Sequence, residues 1–373
     1  MTTNVVGLDI GSSGVRAVEL SAPRKTMPVI MKSYEIALPP GAVVRGEVHD
    51  PEIVSSALKQ LWSEGGFTSK KVVLGVGNES VLVRELTVPK APLKNIRESL
   101  LFHVQDIPHA PFTDSLLDFY PTSEFLGERG PVINGLLIAA EKKGIWESVK
   151  VAERAGLRPI DFELTPFALN RVLIRRTEVI GTVALIDIGS TTTSVTISTD
   201  GDPSFVRVIS AGGNDLTEAL REGLEIGWEE AETRKRSLEL QLYERRASED
   251  DELVAQATKC ECPKCVMSEE STFDPRPNEI LKIVTDELLT GLLSTVTYYN
   301  NSRTQDPIAQ IVLTGGGSHL TGFSQALSQI TRLPVKFIDP FETFTIPRKR
   351  VPRKFRLDPA MTVALGLALR SSP

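Results

Sequence analysis

Cysteine, histidine and aromatic residues are all scarce in this chain. It has three cysteines, all within residues 260–265, four histidines and only 6% aromatic residues. A secreted domain held by disulfides needs cysteines distributed along its length. The clustered cysteines exclude that class of protein and favour a reducing cytoplasm as the location.

Long apolar runs and positive charge are also lacking. No stretch approaches the ~18 consecutive apolar residues of a membrane span. Asp9 interrupts the first apolar run and no basic segment precedes it, so we predict neither a membrane span nor a signal peptide. The net charge of -6 argues against nucleic acid as the main partner, because neutralising phosphates needs a basic face.

What the chain does contain is a repeated phrase. With 373 residues, 41% of them hydrophobic, it is long enough for about two soluble domains. The phrase "GLDIGSSGVRAVEL" begins at Gly7, and "ALIDIGSTTTSVTI" begins at Ala184. Aligning Asp9 with Asp187 also aligns the following Ile, Gly and Ser residues. A repeat at half the chain length predicts two domains built on one template.

Each copy of the phrase ends a buried strand with a carboxylate and then turns through small residues. Such a turn presents backbone N–H groups to a phosphate, and Ser or Thr adds a hydroxyl donor. An aspartate beside phosphate requires a cation between them, and Mg²⁺ bridges the two while keeping several waters. The predicted phosphate-binding residues are Gly11, Ser12, Ser13, Gly189, Ser190 and Thr191, and Asp9 and Asp187 are the predicted Mg²⁺ ligands through water.

A third segment, "IVLTGGGSHLTGF", is a hydrophobic strand that enters three glycines before a helix. Close backbone approach next to a helix N-terminus suits a nucleotide. Because this segment follows the two predicted phosphate-binding turns in the chain, it is stronger evidence for nucleotide binding than a glycine-rich turn alone.

Together these segments resemble the actin-like ATPase superfamily over nearly the whole chain. The phrases "LDIGSS" and "LIDIGSTTT" resemble its two phosphate loops, and "VLTGGGSHLTGF" its adenosine loop. The resemblance implies an α/β actin-like (duplicated ribonuclease H-like) fold, with two domains around a cleft that binds ATP and Mg²⁺. Through "AGGNDLTEAL", "AETRK" and the glycine turn, it implies adenosine contacts by Gly213, Glu232, Lys235, Gly315, Gly316, Gly317 and Ser318.

Within the superfamily, "GLDIGSSGVRAVEL", "AERAGLRPIDFELTPFALNR" and the terminal "GLALR" most resemble the PilM family of type IV pilus assembly proteins. That resemblance implies a cytoplasmic scaffold whose nucleotide state is coupled to partner binding. It also implies that the scaffold binds the cytoplasmic N-terminal peptide of a PilN-like inner-membrane protein. Through that protein it would contact the pilus alignment complex and lie at the inner face of the membrane. The rate of ATP hydrolysis and self-association stay open.

The domain boundaries follow from this resemblance. We expect a first actin-like domain over residues 1–178, with an insert at about 87–160 that resembles the 1C subdomain shared by PilM and FtsA. The second actin-like domain is expected over residues 179–357, with a charged helical insertion at about 237–275. Residues 358–373 are expected to form a connecting helix that returns to the first domain.

Two groups of residues have alternative interpretations. Glu163 precedes the first connecting helix, where the superfamily often places a residue that orients the attacking water; it could equally be a cap or hinge carboxylate. Cys260, Cys262 and Cys265 supply three of the four ligands that structural zinc requires. A carboxylate such as Glu261, or a second chain, could complete a zinc site, and reduced free thiols are the alternative.

Two other functions share the expected fold. An FtsA-like division ATPase polymerises at the membrane and carries an amphipathic membrane helix after a linker. This sequence ends at "LRSSP", directly after the second connecting helix, which disfavours that function. A sugar or acetate kinase would need a substrate pocket with a catalytic carboxylate between the domains, and the 1C-like insert disfavours it.

Overall fold

Two five-stranded sheets with the same topology form the framework of the chain. A computed structural model describes residues 5–21, 23, 25–78, 80–104, 114–128, 130–238, 240, 275–346 and 358–370. The strands of the first sheet are β1 (Val5–Ile10), β2 (Gly14–Ser21), β3 (Val29–Ala37), β6 (Lys71–Val76) and β10 (Arg158–Leu164). In this sheet, β1 pairs antiparallel with β2 and parallel with β6, and β3 and β10 form the edges.

The second sheet repeats this arrangement. Its central strand pairs antiparallel with the next strand and parallel with a strand more than a hundred residues later. The strands are β11 (Thr182–Ile188), β12 (Thr193–Thr199), β13 (Asp202–Ile209), β14 (Gln310–Thr314) and β15 (Val335–Lys336). The matched order of antiparallel and parallel neighbours confirms the predicted duplicated actin-like fold.

Helices cover both sheets. The helix α1 (Pro51–Gly65) begins at the N-cap Asp50, whose carboxylate accepts from two backbone N–H groups, and ends before Gly66 at φ 64°. It packs Leu58 and Leu61 on the first sheet. The second sheet is covered by α5 (Gly213–Leu224), α6 (Trp228–Ser237), α7 (Arg276–Ser302) and α8 (Phe323–Thr331).

A third, smaller unit lies between β6 and β10 of the first sheet in chain order. Its sheet has the order β7 (Val81–Pro89), β9 (Gly130–Glu141) and β8 (Ser115–Gly127), with α2 (Leu93–Val104) packed on it. A short hairpin, β4 (Val43–Val44) and β5 (Glu47–Val48), precedes α1.

The small sheet differs in extent from the predicted 87–160 insert. It begins with β7, and α3 (Lys142–Arg154) packs on α1 while β10 pairs with β6 of the first sheet. We therefore propose boundaries near residues 81 and 141. Most of the predicted 237–275 insertion, including the three cysteines, lies outside the described residues.

Two short helices connect the domains. The helix α4 (Thr165–Asn170) continues as a π-helical turn, Arg171–Arg175, toward β11. The helix α9 (Thr362–Ala368) packs on β1, β2 and α4. A Cβ added at Gly366 would lie 2.1 Å from the Ala168 carbonyl oxygen, so the two helices touch backbone to backbone. Among the described helices, none is long and apolar enough to cross a membrane.

Candidate functional site

The two repeated turns face one another across a cleft of about 770 Å³. Each turn follows the central strand of its own sheet, so the duplicated topology places both at corresponding positions. The predicted residues that line this cleft are Asp9, Gly11, Ser12, Ser13, Asp187, Gly189, Ser190, Thr191, Gly213, Glu232, Lys235, Gly315, Gly316 and Gly317.

Direct contacts connect the two turns. The Ser12 Oγ and Thr191 Oγ1 atoms lie 2.7 Å apart, and the backbone N–H of Arg45 also donates to Thr191 Oγ1 at 3.1 Å. A Cβ at Gly212 would lie 2.7 Å from the Gly189 carbonyl oxygen, so the start of α5 approaches the second turn closely. Backbone and hydroxyl groups from both domains therefore converge on one small volume, as a polyphosphate site requires.

The carboxylates of Asp9 and Asp187 mark the ends of the two central strands. Burial raises the pKa of Asp9, and the nearby Arg16 guanidinium opposes that shift. Burial, with the charge of Asp9, raises the pKa of Asp187 to about 7. A divalent cation would relieve this repulsion, so the pair fits Mg²⁺.

The described residues contain no group of three or more His, Cys, Asp or Glu side chains that could hold a metal ion. Two carboxylates together with water and phosphate oxygens are nevertheless a usual Mg²⁺ environment. Zinc binding by the cysteines stays a prediction, because they lie outside the described residues.

Arg16 supplies positive charge beside this pair. Its Nη1 lies 3.6 Å from Asp9 Oδ2, and its Nη2 lies 2.6 Å from Glu35 Oε1 and donates to Ser13 Oγ at 3.0 Å. Glu35 on β3 therefore fixes the guanidinium next to the first turn, where it favours a bound anion.

A hydrogen-bonded network joins several of the residues predicted to contact adenosine. Lys235 Nζ donates to the Gly213 carbonyl oxygen at 2.9 Å and to Thr217 Oγ1 at 2.7 Å, and lies 2.6 Å from Glu232 Oε2. Burial would raise the pKa of Glu232, but hydrogen bonds from Lys235, Thr217 and Arg236 lower it to about 2. Burial lowers the pKa of Lys235. The network thus links α6 to the first turn of α5.

The glycine turn lies directly against the second carboxylate. Gly315 has φ 88°, and an added Cβ there would lie 2.4 Å from Asp187 Oδ1. Ser318, predicted to contact adenosine, is not among the residues that line the cleft. It is buried, and its hydroxyl donates to the Gly315 carbonyl oxygen at 2.6 Å, so it holds the turn in shape.

Glu163, predicted as a candidate for orienting water, faces a different cavity of about 340 Å³. Its Oε2 accepts from Arg171 Nη1 at 2.7 Å, its Oε1 accepts from Arg171 Nη2, and Arg370 lies 3.6 Å away. From the helix α4 that follows Glu163, Thr165 and Leu169 line the cleft instead. A catalytic role for Glu163 stays a prediction, and its ion pair supports a structural role.

Other residues that line the cleft were not predicted from the sequence, among them Thr165, Trp228 and His319. For Trp228 a signal was available, because it precedes Glu232 by four residues and Lys235 by seven. That spacing puts all three on one face of a helix. His319 lies two residues after Gly317 and had no such pattern.

The chain is similar in sequence to known proteins. The family model of FtsA, the cell division protein, matches residues 184–366. FtsA of Bacillus subtilis is 23% identical over 359 residues, covering 90% of this chain and 78% of that protein.

Solved structures extend the comparison. A structure of a PilM–PilN type IV pilus biogenesis complex has a TM-score of 0.79 at 25% identity and covers 99% of both chains. MreB5 of Spiroplasma citri bound to ADP has a TM-score of 0.50 at 14% identity, covering 98% of this chain and 95% of that one, which shows the shared fold.

The family model described as type IV pilus assembly protein PilM matches residues 7–246. That range includes both small-residue turns, the small three-stranded unit and the whole of α6. The fold, the duplicated turns and this match agree, and the chain belongs to the PilM family of type IV pilus assembly proteins.

Proposed function

We propose that the chain is an ATP-binding scaffold of type IV pilus assembly that binds the cytoplasmic N-terminal peptide of a PilN-like membrane protein. The convergence of two phosphate-type turns and two carboxylates in one cleft is the observation that carries the nucleotide part. Ser12 and Thr191 would hold phosphate oxygens, and Asp9 and Asp187 would hold Mg²⁺ through water. MreB5 bound to ADP shares the fold.

The cavity that contains Glu163 supports the peptide part. It lies where the first domain, the small sheet and the second domain meet, and its volume is about 340 Å³. Apolar side chains such as Phe162, Phe167 and Ile138 form its walls. Four arginines and two carboxylates also line it, namely Arg97, Arg171, Arg175, Arg370, Asp118 and Glu163. Apolar walls with charged donors and acceptors suit the side chains and backbone of a peptide.

The helix α4 supports coupling between the two cavities. Its Thr165 and Leu169 line the cleft, whereas Phe167 and Asn170 line the second cavity. Asn170 Nδ2 donates to the Gly201 carbonyl oxygen at 2.9 Å, and Ser198 Oγ donates to Asn170 Oδ1 at 2.7 Å. Because these bonds join α4 to the second domain, domain closure on a nucleotide would also change the second cavity.

We further propose that hydrolysis is slow. Among the described residues lining the cleft, Glu35 and Glu232 are ion-paired, and Asp9 and Asp187 face the proposed cation. A carboxylate engaged in this way is poorly placed to position an attacking water, and positioning dominates phosphoryl transfer.

The test is a titration of the protein with a fluorescently labelled N-terminal peptide of the PilN-like protein, with and without Mg-ATP. We expect the two affinities to differ. Phe167→Ala should weaken peptide binding while Mg-ATP binding stays intact. Asp9→Ala should remove Mg-ATP binding and with it the nucleotide effect on the peptide.

Trp146→Ala is the matched control, because Trp146 is a 56% exposed aromatic residue on α3 that lines neither cavity. Absence of peptide binding in both states would remove the proposed partner. Equal peptide affinities with and without Mg-ATP would contradict the proposed coupling.

The match to FtsA gives a second candidate function, a polymerising ATPase. Sedimentation of the purified protein with Mg-ATP and lipid vesicles distinguishes it. Filaments that pellet only with nucleotide would favour this candidate over the scaffold.

A further inference from the structure

The helix α9 has one end at each of the two cavities. Thr362 and Val363, in its first turn, line the cleft. Arg370, two residues after its last residue, lines the second cavity. At 1.5 Å per residue, about 12 Å separates Thr362 from Arg370 along the helix axis. A displacement of α9 at the cleft therefore reaches the second cavity through one short element.

Backbone contacts hold α9 on the first sheet. A Cβ added at Gly7 of β1 would lie 2.5 Å from the Ala368 backbone nitrogen, and Gly366 touches α4 in the same way. No side chain lies between these backbones to absorb a shift, so we expect α9 and β1 to move together. Asp9, one of the carboxylates of the cleft, follows Gly7 by two residues on β1. The position of α9 is therefore tied to the strand that carries a proposed Mg²⁺ ligand.

The face of the first sheet under α9 also reaches both cavities. Gly75 of β6 pairs with Glu163 of β10, and the register between β6 and β1 places Asp9 on its other side. Because parallel strands lie about 4.8 Å apart and residues in register share a face, the Cα atoms of Asp9 and Glu163 are about 10 Å apart. The Leu367 side chain of α9 covers Gly75, at 3.1 Å from a Cβ added there. One carboxylate of each cavity thus lies on the face that α9 covers.

Arg370 lies between two carboxylates of that face. Its Nε is 2.7 Å from Asp161 Oδ2, and its Nη1 is 3.6 Å from Glu163 Oε1. Glu163 is shared with Arg171, whose Nη1 donates to Glu163 Oε2 at 2.7 Å and to the Gly366 carbonyl oxygen of α9 at 2.9 Å. A small shift of α9 would therefore change which of the two carboxylates Arg370 pairs with.

We infer that Arg370 is the positioning residue that conveys the nucleotide state of the cleft to the second cavity. This inference rests on the proposed function. A ligand shifts an equilibrium between two states only through contacts that differ between them. Arg370 supplies such a difference, because pairing with Asp161 or with Glu163 leaves a different carboxylate to meet the peptide. When a nucleotide moves α9, Arg370 exchanges between these two partners.

Arg97 provides a matched control. It lines the same cavity, and its Nε lies 2.5 Å from Asp118 Oδ1. Arg97 lies on α2 and Asp118 on β8, so both belong to the small three-stranded unit and neither lies on α9 or the first sheet. Arg97 therefore contributes charge to the cavity without the connection to the cleft that Arg370 has.

The test measures peptide affinity without and with Mg-ATP, on the full chain, by the fluorescence anisotropy of a labelled N-terminal peptide of the PilN-like protein. We expect the two wild-type affinities to differ by at least about fivefold. Arg370→Gln should bring their ratio to within twofold of one, and Arg370→Lys, which keeps the charge, should retain part of the difference. Arg97→Ala should change both affinities by the same factor and leave the ratio as in the wild type.

The reverse measurement separates coupling from a structural role. Because linkage is reciprocal, the peptide should change the Mg-ATP affinity of the wild type by the same factor as Mg-ATP changes the peptide affinity. Arg370→Gln should lose this effect, while its Mg-ATP affinity without peptide stays within twofold of the wild-type value. A residue that only stabilised the fold would alter the melting temperature and leave the ratio unchanged.

A wild-type ratio in Arg370→Gln would overturn the inference. An equal loss of the ratio in Arg97→Ala would also overturn it, because any charge that lines the cavity would then suffice. A wild-type protein that binds no peptide, or binds it equally in both states, would instead overturn the proposed function.

Discussion

The hydroxyl oxygens of Ser12 and Thr191 lie 2.7 Å apart, although 179 residues separate them in the chain. This hydrogen bond joins the first small-residue turn, at residues 11–13, to the second, at residues 189–191. A phosphate that enters between the turns would compete for the same hydroxyl groups. The bond therefore favours close approach of the two turns, and its hydroxyl groups would donate to a bound anion instead.

A double-mutant cycle measures this bond. Ser12→Ala and Thr191→Val should each destabilise the protein, and the double variant should be less destabilised than the sum. We expect a coupling of about 0.5–1.5 kcal/mol in the free energy of unfolding by urea, without nucleotide. Pairing Ser12→Ala with Ser190→Ala should instead give additive effects. Additivity in the first pair would show that the bond does not form in solution.

The pKa of Asp187 leads to a pH dependence of stability. Burial and the charge of Asp9 raise this pKa from 3.8 to about 7 in the folded protein. Between those values the folded state binds more protons than the unfolded state, so the free energy of unfolding falls as pH rises through this window. In EDTA, the free energy of unfolding of Asp187→Asn should equal that of the wild type near pH 4. At pH 8 it should be the larger of the two.

With Mg²⁺ and ATP, the wild type should become more stable than Asp187→Asn, because a cation stabilises the charged carboxylates. In thermal melts at pH 8, Mg-ATP should therefore raise the melting temperature of the wild type and leave that of Asp187→Asn unchanged. If the variant were less stable than the wild type at pH 8 in EDTA, the carboxylates would not repel one another.

Glu163 is expected to affect stability and not nucleotide binding. Glu163→Gln removes the negative charge that pairs with Arg171 and leaves that guanidinium with the Gly366 carbonyl oxygen. We expect a loss of about 1–3 kcal/mol, measured by urea unfolding, because one partner of a mostly buried pair is left without its counter-charge. Mg-ATP affinity should stay within twofold. Glu232→Gln, a change in the cleft, is the contrasting variant and should weaken nucleotide binding.

The contact between the two connecting helices depends on Gly366. Gly366→Ala would place a methyl group 2.1 Å from the Ala168 carbonyl oxygen, so α4 and α9 would have to separate. We expect a loss of at least about 3 kcal/mol, at the upper end of single substitutions. Gly291→Ala is the control, since its nearest neighbour is 3.9 Å away and it lies inside α7. That change should stabilise the protein by about 0.5–1 kcal/mol.

The cleft could be predicted because its turns are continuous in sequence. Asp9, Gly11 and Ser12, like Asp187, Gly189 and Ser190, form a strand end and a turn within a few residues. The small residues and the carboxylate that such a turn requires are therefore close together in the sequence, where they can be recognised. Glu163 was harder, because its position before a helix does not indicate which of two cavities its side chain faces.

The sequence by itself determined the duplicated strand–turn–strand units and the residue types at their tips, because local backbone geometry and hydrogen bonding select them. Only the tertiary structure decided which side chains share a site. It brought Ser12 to Thr191, turned Glu163 toward Arg171 and away from the cleft, and joined Lys235 to Gly213 and Thr217. Those relationships depend on how two sheets and two connecting helices pack, and packing joins residues whose distance along the chain carries no information about their contact.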